Sequence, residues 1–187
     1  MKKYADDYDL VITEDEKGRE KKKAVYRANY FKIDISLGEL KTFKRKAIVL
    51  LIAIALLHFG AGFVANLGMY AFYVVLPYVI SFLPLYYMGS GILRLPKEIR
   101  EYRRDEVSLS FERLKKSAIF VLAILGVGAI GEIVYIITFT NWGSIREFLY
   151  LGLALLEIIL VYVLLRLRNK INIKELESQQ PEQEPSA

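Results

Sequence analysis

The chain has no cysteine, one histidine and one tryptophan among its 187 residues. Without a thiol there is no disulfide, no thiolate metal site and no thiol redox chemistry. With His58 alone, HExxH spacing is unmatched, and one histidine with two buried-span glutamates is too sparse a set for a metal centre. Charge is the next scarcity. Residues 47–93 contain no Lys, Arg, Asp or Glu; 117–145 contain only Glu132, and 148–165 only Glu157. Runs of about 18 or more nearly charge-free apolar residues point to transmembrane helices. Residues 1–46 are polar, so no cleaved leader is expected, and no lipidation motif is present.

What is there is unevenly distributed. Hydrophobic residues make up 54% of the chain, and they cluster instead of dispersing as in a soluble domain. One span needs about 20 residues, so the run 47–93 divides into two, with Asn66-Leu67-Gly68 as the turn. The expected fold is an all-α membrane protein: a four-transmembrane-helix bundle with spans at about 47–65, 69–93, 117–140 and 146–165. Asn141-Trp142-Gly143-Ser144 joins the last two, with Ser144 as N-cap. Three regions follow: a cytoplasmic N-terminal hairpin and interfacial helix (1–45), the bundle (46–168) and a disordered tail (169–187).

Lys and Arg set the expected orientation. Residues 1–46 hold 13, the loop 94–116 holds 8 and the tail 166–187 holds 4, whereas the two opposite connections hold only Arg146. Both termini and the middle loop are expected on the cytoplasmic side of the plasma (inner) membrane. The net charge of +5 is then explained by span flanks and anionic headgroups, and nucleic acid is not an expected partner. Tyr70, Tyr73 and Trp142 would mark the outer interface, and Phe43, Tyr86 and Tyr87 the inner one.

The N-terminal segment reads as a small β-hairpin or meander, with strands at 9–13 and 24–35 and a turn at Gly18. Its basic run Lys21-Lys22-Lys23 is expected to pair across the turn with Glu14, Asp15, Glu16 and Glu20. Ser36 and Glu39 have capping-box spacing before an interfacial helix. In the middle loop, Pro96 suits the first turn of a helix reaching about Arg104, and Ser108 or Ser110 suits the cap of the third span.

His58, Glu132 and Glu157 are the ionisable groups inside the spans, and such groups usually face the bundle interior. At ~1.5 Å rise per residue all three fall roughly 12–15 Å from the outer ends, with Tyr78 at a similar depth. They read either as a cluster for proton or ion coupling or as hydrogen-bonding groups that fix helix register. Gly126, Gly128 and Gly131 match GxGxxG formally, but inside a span they favour close helix packing over a dinucleotide. Pro77 and Pro84, on one face of the second span, are candidate hinge residues or static kinks.

No catalytic constellation, metal site or cofactor motif emerges. The expected function is therefore a non-enzymatic subunit or interaction protein of a membrane complex. Its partners would be the bilayer and either further copies of the chain or a larger assembly. The alternative is a small oligomeric proton- or cation-coupled transporter using the intramembrane carboxylates. A lipid-acting enzyme ranks last, lacking any nucleophile–base pair.

Overall fold

The computed structural model of the chain describes residues 2–14, 20–140 and 144–176. Four helices are long and apolar enough to cross a membrane. Helix α1 is Leu37–Gly62 and α2 is Phe72–Leu93. Helix α3 starts at Arg104 and contains Arg113–Tyr135, with π-helical turns at Ser108–Glu112 and Ile136–Thr140. Helix α4 is Ile145–Asn169. Outward-facing Leu56, Phe120 and Ile130 are 68%, 65% and 64% exposed. Apolar exposure repeated along every helix suits hydrocarbon and not water.

The expected interfacial helix and first span are one helix. Ser36 caps it: its hydroxyl accepts from Glu39 N at 3.2 Å, and the Glu39 carboxylate accepts from Ser36 N at 2.8 Å. Leu40, Phe43 and Ala47 are buried at spacings of three and four, while Leu37 faces outward. Ser144 holds the N-cap position of α4, as expected, but its side chain makes no capping bond. The turn 141–143, with Trp142, lies outside the described residues.

Two expectations about the middle loop fail. Residues 96–103 form no helix, because their backbone is engaged elsewhere. Tyr102 and Phe31 exchange two backbone hydrogen bonds at 2.8 Å, and the Tyr102 hydroxyl donates to the Glu98 carbonyl. The helix starts instead at Arg104, where the Glu106 carboxylate accepts from Arg103 N at 3.0 Å. Ser108 and Ser110 are therefore interior. Ser110 Oγ donates back to the Glu106 carbonyl at 2.6 Å, a local competition that accompanies the π-helical turn.

Four strands make two antiparallel pairs. Strands β1 (Tyr8–Glu14) and β2 (Glu20–Tyr26) form the hairpin. The expected 24–35 strand breaks at Arg27–Asn29, where the Tyr26 hydroxyl donates to the Asn29 carbonyl at 2.9 Å. In the described register no lysine of the basic run stands directly opposite an acid. Lys21, Lys22 and Lys23 stand opposite Thr13, Ile12 and Val11, and Glu14 stands opposite Glu20. Gly18, with Asp15 and Glu16, lies outside the described residues.

Strand β3 (Tyr30–Ile33) pairs with β4 (Ile173–Leu176), Ile33 facing Ile173. The segment from 169 is thus not simply a disordered tail. Ile171 and Ile173 alternate with polar residues and close against the end of the bundle, Ile171 fully buried. Residues 177–187 lie outside the described part. This pairing puts the start of α1, the end of α2, the start of α3 and the end of α4 at one end of the molecule.

Helices α2 and α3 make the closest contact. Pro77 deprives the Tyr73 carbonyl of its helical donor, and Gly131 of α3 lies against that oxygen. A Cβ at 131 would stand 2.6 Å from it, and one at 128 would stand 3.3 Å from the Pro77 ring. Gly126 faces open space, so only two of the three GxGxxG glycines serve the packing expected of them.

Two outcomes follow. Gly131→Leu should destabilise the bundle by about 1–3 kcal/mol or more, as overpacking does, while Gly126→Leu should be near neutral, in reversible unfolding in detergent. At the sheet end, Lys174 Nζ lies 2.7 Å from Asp34 Oδ2 and holds that carboxyl below the usual carboxylate range. A depressed acid stabilises the fold above its unfolded pKa of about 3.9, and the benefit fades as pH falls through the folded value. Lys174→Gln should therefore speed exchange of the β3–β4 amides relative to the unmodified chain at pH 7, and the difference should vanish in acid.

Candidate functional site: two buried polar clusters

The ionisable groups inside the spans fall into two clusters, not one. In the first, His58 of α1 meets Glu157 of α4, with Nδ1 3.1 Å from each carboxylate oxygen. Both residues are 1% exposed. Tyr78 of α2 stacks on the imidazole at 4.6 Å between centroids and donates its hydroxyl to the His58 carbonyl at 3.1 Å. Phe82 meets the ring edge-on at 4.4 Å. Ser81 Oγ lies 3.1 Å from Nε2 and 2.6 Å from the Tyr78 carbonyl.

Ser81 has one proton, and the short bond to the Tyr78 carbonyl uses it, which leaves Ser81 Oγ to accept from the imidazole Nε2. The imidazole thus bridges α2 and α4, with Nδ1 turned to Glu157.

The second cluster lies toward the α1–α2 connection. Helix α1 stops at Gly62, earlier than the sequence suggests, and Asn66 turns inward to 2% exposure instead of forming a turn tip. Its amide donates to Glu132 Oε1 at 3.3 Å. Glu147, in the first turn of α4, accepts from Leu67 N at 2.8 Å and Gly68 N at 3.3 Å. Gly68 brings the two carboxylates near one another: its N–H donates to Glu147, and Glu132 Oε2 lies against its Cα. Glu132 Oε2 is buried with no donor aimed at it among the described residues. Glu147 is held by two backbone N–H groups beside the α4 N-terminus. Gly68 permits the approach, since a Cβ there would stand 2.3 Å from Glu132 Oε2.

Tyr150, 4% exposed, is buried with Ala61 and Val74 in an apolar cluster against which Tyr78 packs. Pro77 and Pro84 are both buried in a continuous α2. Among the described residues no three His, Cys, Asp or Glu side chains gather as a metal site.

Sequence reasoning missed Glu147, Asn66 and Ser81. The signal for Glu147 was present: the buried stripe of α4 at 150, 154, 157 and 161 extends one step back to 147. Ser81 likewise completes the α2 stripe Val74, Pro77, Ser81, Pro84, Met88. Nothing local marks Asn66, whose burial depends on where α1 ends.

The four long apolar helices are compatible with a multi-pass membrane protein. Comparison with protein families, curated proteins and solved structures finds no match.

Glu157→Leu should cost about 1–3 kcal/mol by leaving the imidazole without its partner. A double-mutant cycle with His58→Gln should return a coupling of about 0.6 kcal/mol, and no more than about 1.7 kcal/mol, as is typical of hydrogen bonds between membrane helices. Reversible unfolding in bicelles measures both.

Proposed function

We propose that the chain is a non-enzymatic subunit or interaction protein of a membrane complex. We place it in the plasma (inner) membrane, with both termini and the 94–116 loop on the cytoplasmic side. The Lys and Arg distribution supports the orientation.

The β1–β2 hairpin carries the reading. Its base is clamped to the bundle end. Tyr8, Tyr26 and Tyr30 pack edge to face at 5.2 and 5.1 Å, and the Arg103 guanidinium lies 6.0 Å from Tyr8 and 5.8 Å from Tyr26. The Tyr26 hydroxyl also accepts from Arg104 N at 3.0 Å, and burial pushes this phenol above its usual range, so it stays a neutral donor. Beyond that base the hairpin projects without cover. Leu10 and Ile12, on the Tyr8 face, are 72% and 58% exposed, and Val11 and Val25 are exposed on the other. A two-stranded ribbon is marginal by itself, and its open edges accept a further strand. A protein partner is the economical cover for both.

Purification from the native membrane should give a discrete heteromeric mass, and Leu10→Asp with Ile12→Asp should release the partner while the four spans remain folded. A chain that purifies alone, or a partner retained by the double variant, overturns the proposal.

The approach of the Glu132 and Glu147 carboxylates at Gly68 favours a second reading, a proton-coupled transporter. It expects Glu132→Gln to abolish proton-dependent flux in proteoliposomes at unchanged folding; loss of stability without any flux to lose supports the subunit reading.

A further inference from the structure

At the sheet end of the bundle, α1 and the loop after α2 enclose a groove of about 480 Å³. Lys41, Lys44 and Arg45 line it from α1, and Lys97 faces them beside Pro96. No carboxylate lines it, and none of the four cations is ion-paired among the described residues. Lys44 is half-buried and donates to the Leu95 carbonyl at 2.7 Å, so one wall is built and not merely solvated.

The lining changes character along one helical stripe. Positions 41, 44, 45 and 48 follow the spacing of a single face. Cations occupy the first three, and Ile48 and Val49 complete the floor. Beyond them, Val49 and Ile52 are 59% and 54% exposed on the flank that enters the hydrocarbon. A ligand for this groove carries negative charge at one end and an apolar body continuing down α1.

We infer that the groove between α1 and the 95–97 loop is a specific site for an anionic phospholipid of the adjoining leaflet. The phosphate lies among Lys41, Arg45 and Lys97, and an acyl chain follows Ile48, Val49 and Ile52. General attraction of basic flanks to an anionic surface needs no groove. Here Lys41, Arg45 and Lys97 act together across two chain segments, with Lys44 tying α1 to the loop, while other basic residues at the same boundary do not. It is independent of the partner proposed for the hairpin.

Native mass spectrometry of the detergent-solubilised full chain, titrated with dioleoyl phosphatidylglycerol or dioleoyl phosphatidylcholine, tests it. The unmodified chain should prefer phosphatidylglycerol by at least about tenfold. Replacing Lys41, Arg45 and Lys97 by Gln should weaken that binding by about a hundredfold. The control K46Q/K115Q/K170Q removes three exposed cations outside the groove and should leave binding within about twofold. Lys97→Gln alone changes no helix and no span flank, and should weaken binding about fivefold. Equal loss in both triple variants, no headgroup preference, or displacement of the lipid by millimolar inorganic phosphate would overturn the assignment.

Discussion

A carboxyl group inside hydrocarbon must find its proton or its donors within the protein, because lipid tails supply neither. That requirement organises this bundle. Glu157 finds an imidazole on α1; Glu132 finds an amide from the α1–α2 connection. Each solution joins elements distant in sequence. Apolar side chains pack nearly as well against lipid as against each other, so they specify helix neighbours weakly. The polar pairs specify them strongly, since a misplaced helix strands a buried charge.

The two clusters differ in what they bind together. His58–Glu157 is a side-chain contact between α1 and α4, wrapped by the rings of Tyr78 and Phe82 from α2. The Glu132–Glu147 cluster draws backbone into the interior. Leu67 is 60% exposed in its side chain, yet its N–H points inward to Glu147. A buried acid thereby satisfies donors that a non-helical segment at this depth would otherwise leave unpaired. Asn66 and Gly68 of the connection are thus part of the core, while Phe63, Leu67 and Tyr70 face outward.

Much of this was legible in the sequence, for stated reasons. Span number and position follow from solvation alone, and the Ser36–Glu39 cap and the α4 stripe follow from helix periodicity. The depth arithmetic placed His58 and Glu157 correctly at one level, and they touch. It misplaced Glu132 because depth does not say which face of which neighbour is opposite, and because Asn66 was read as a turn residue from composition. The loop after Pro96 failed for a different reason. A local helix signal lost to a long-range pairing of Tyr102 with Phe31, which no window of neighbouring residues contains. Strand β4 was missed likewise: Ile171 and Ile173 are too few to announce a strand until Ile33 is found opposite.

That last pairing has a temporal consequence. Strand β3 precedes the first span and β4 follows the last, so roughly 140 residues separate Ile33 from Ile173. At ~5–20 residues synthesised per second, β3 leaves the ribosome about 7–28 s before its partner exists. All four helices are synthesised before the two strands can meet. The sheet is consequently a late joint, closing only when the start of α1 and the end of α4 lie at the same end of the bundle.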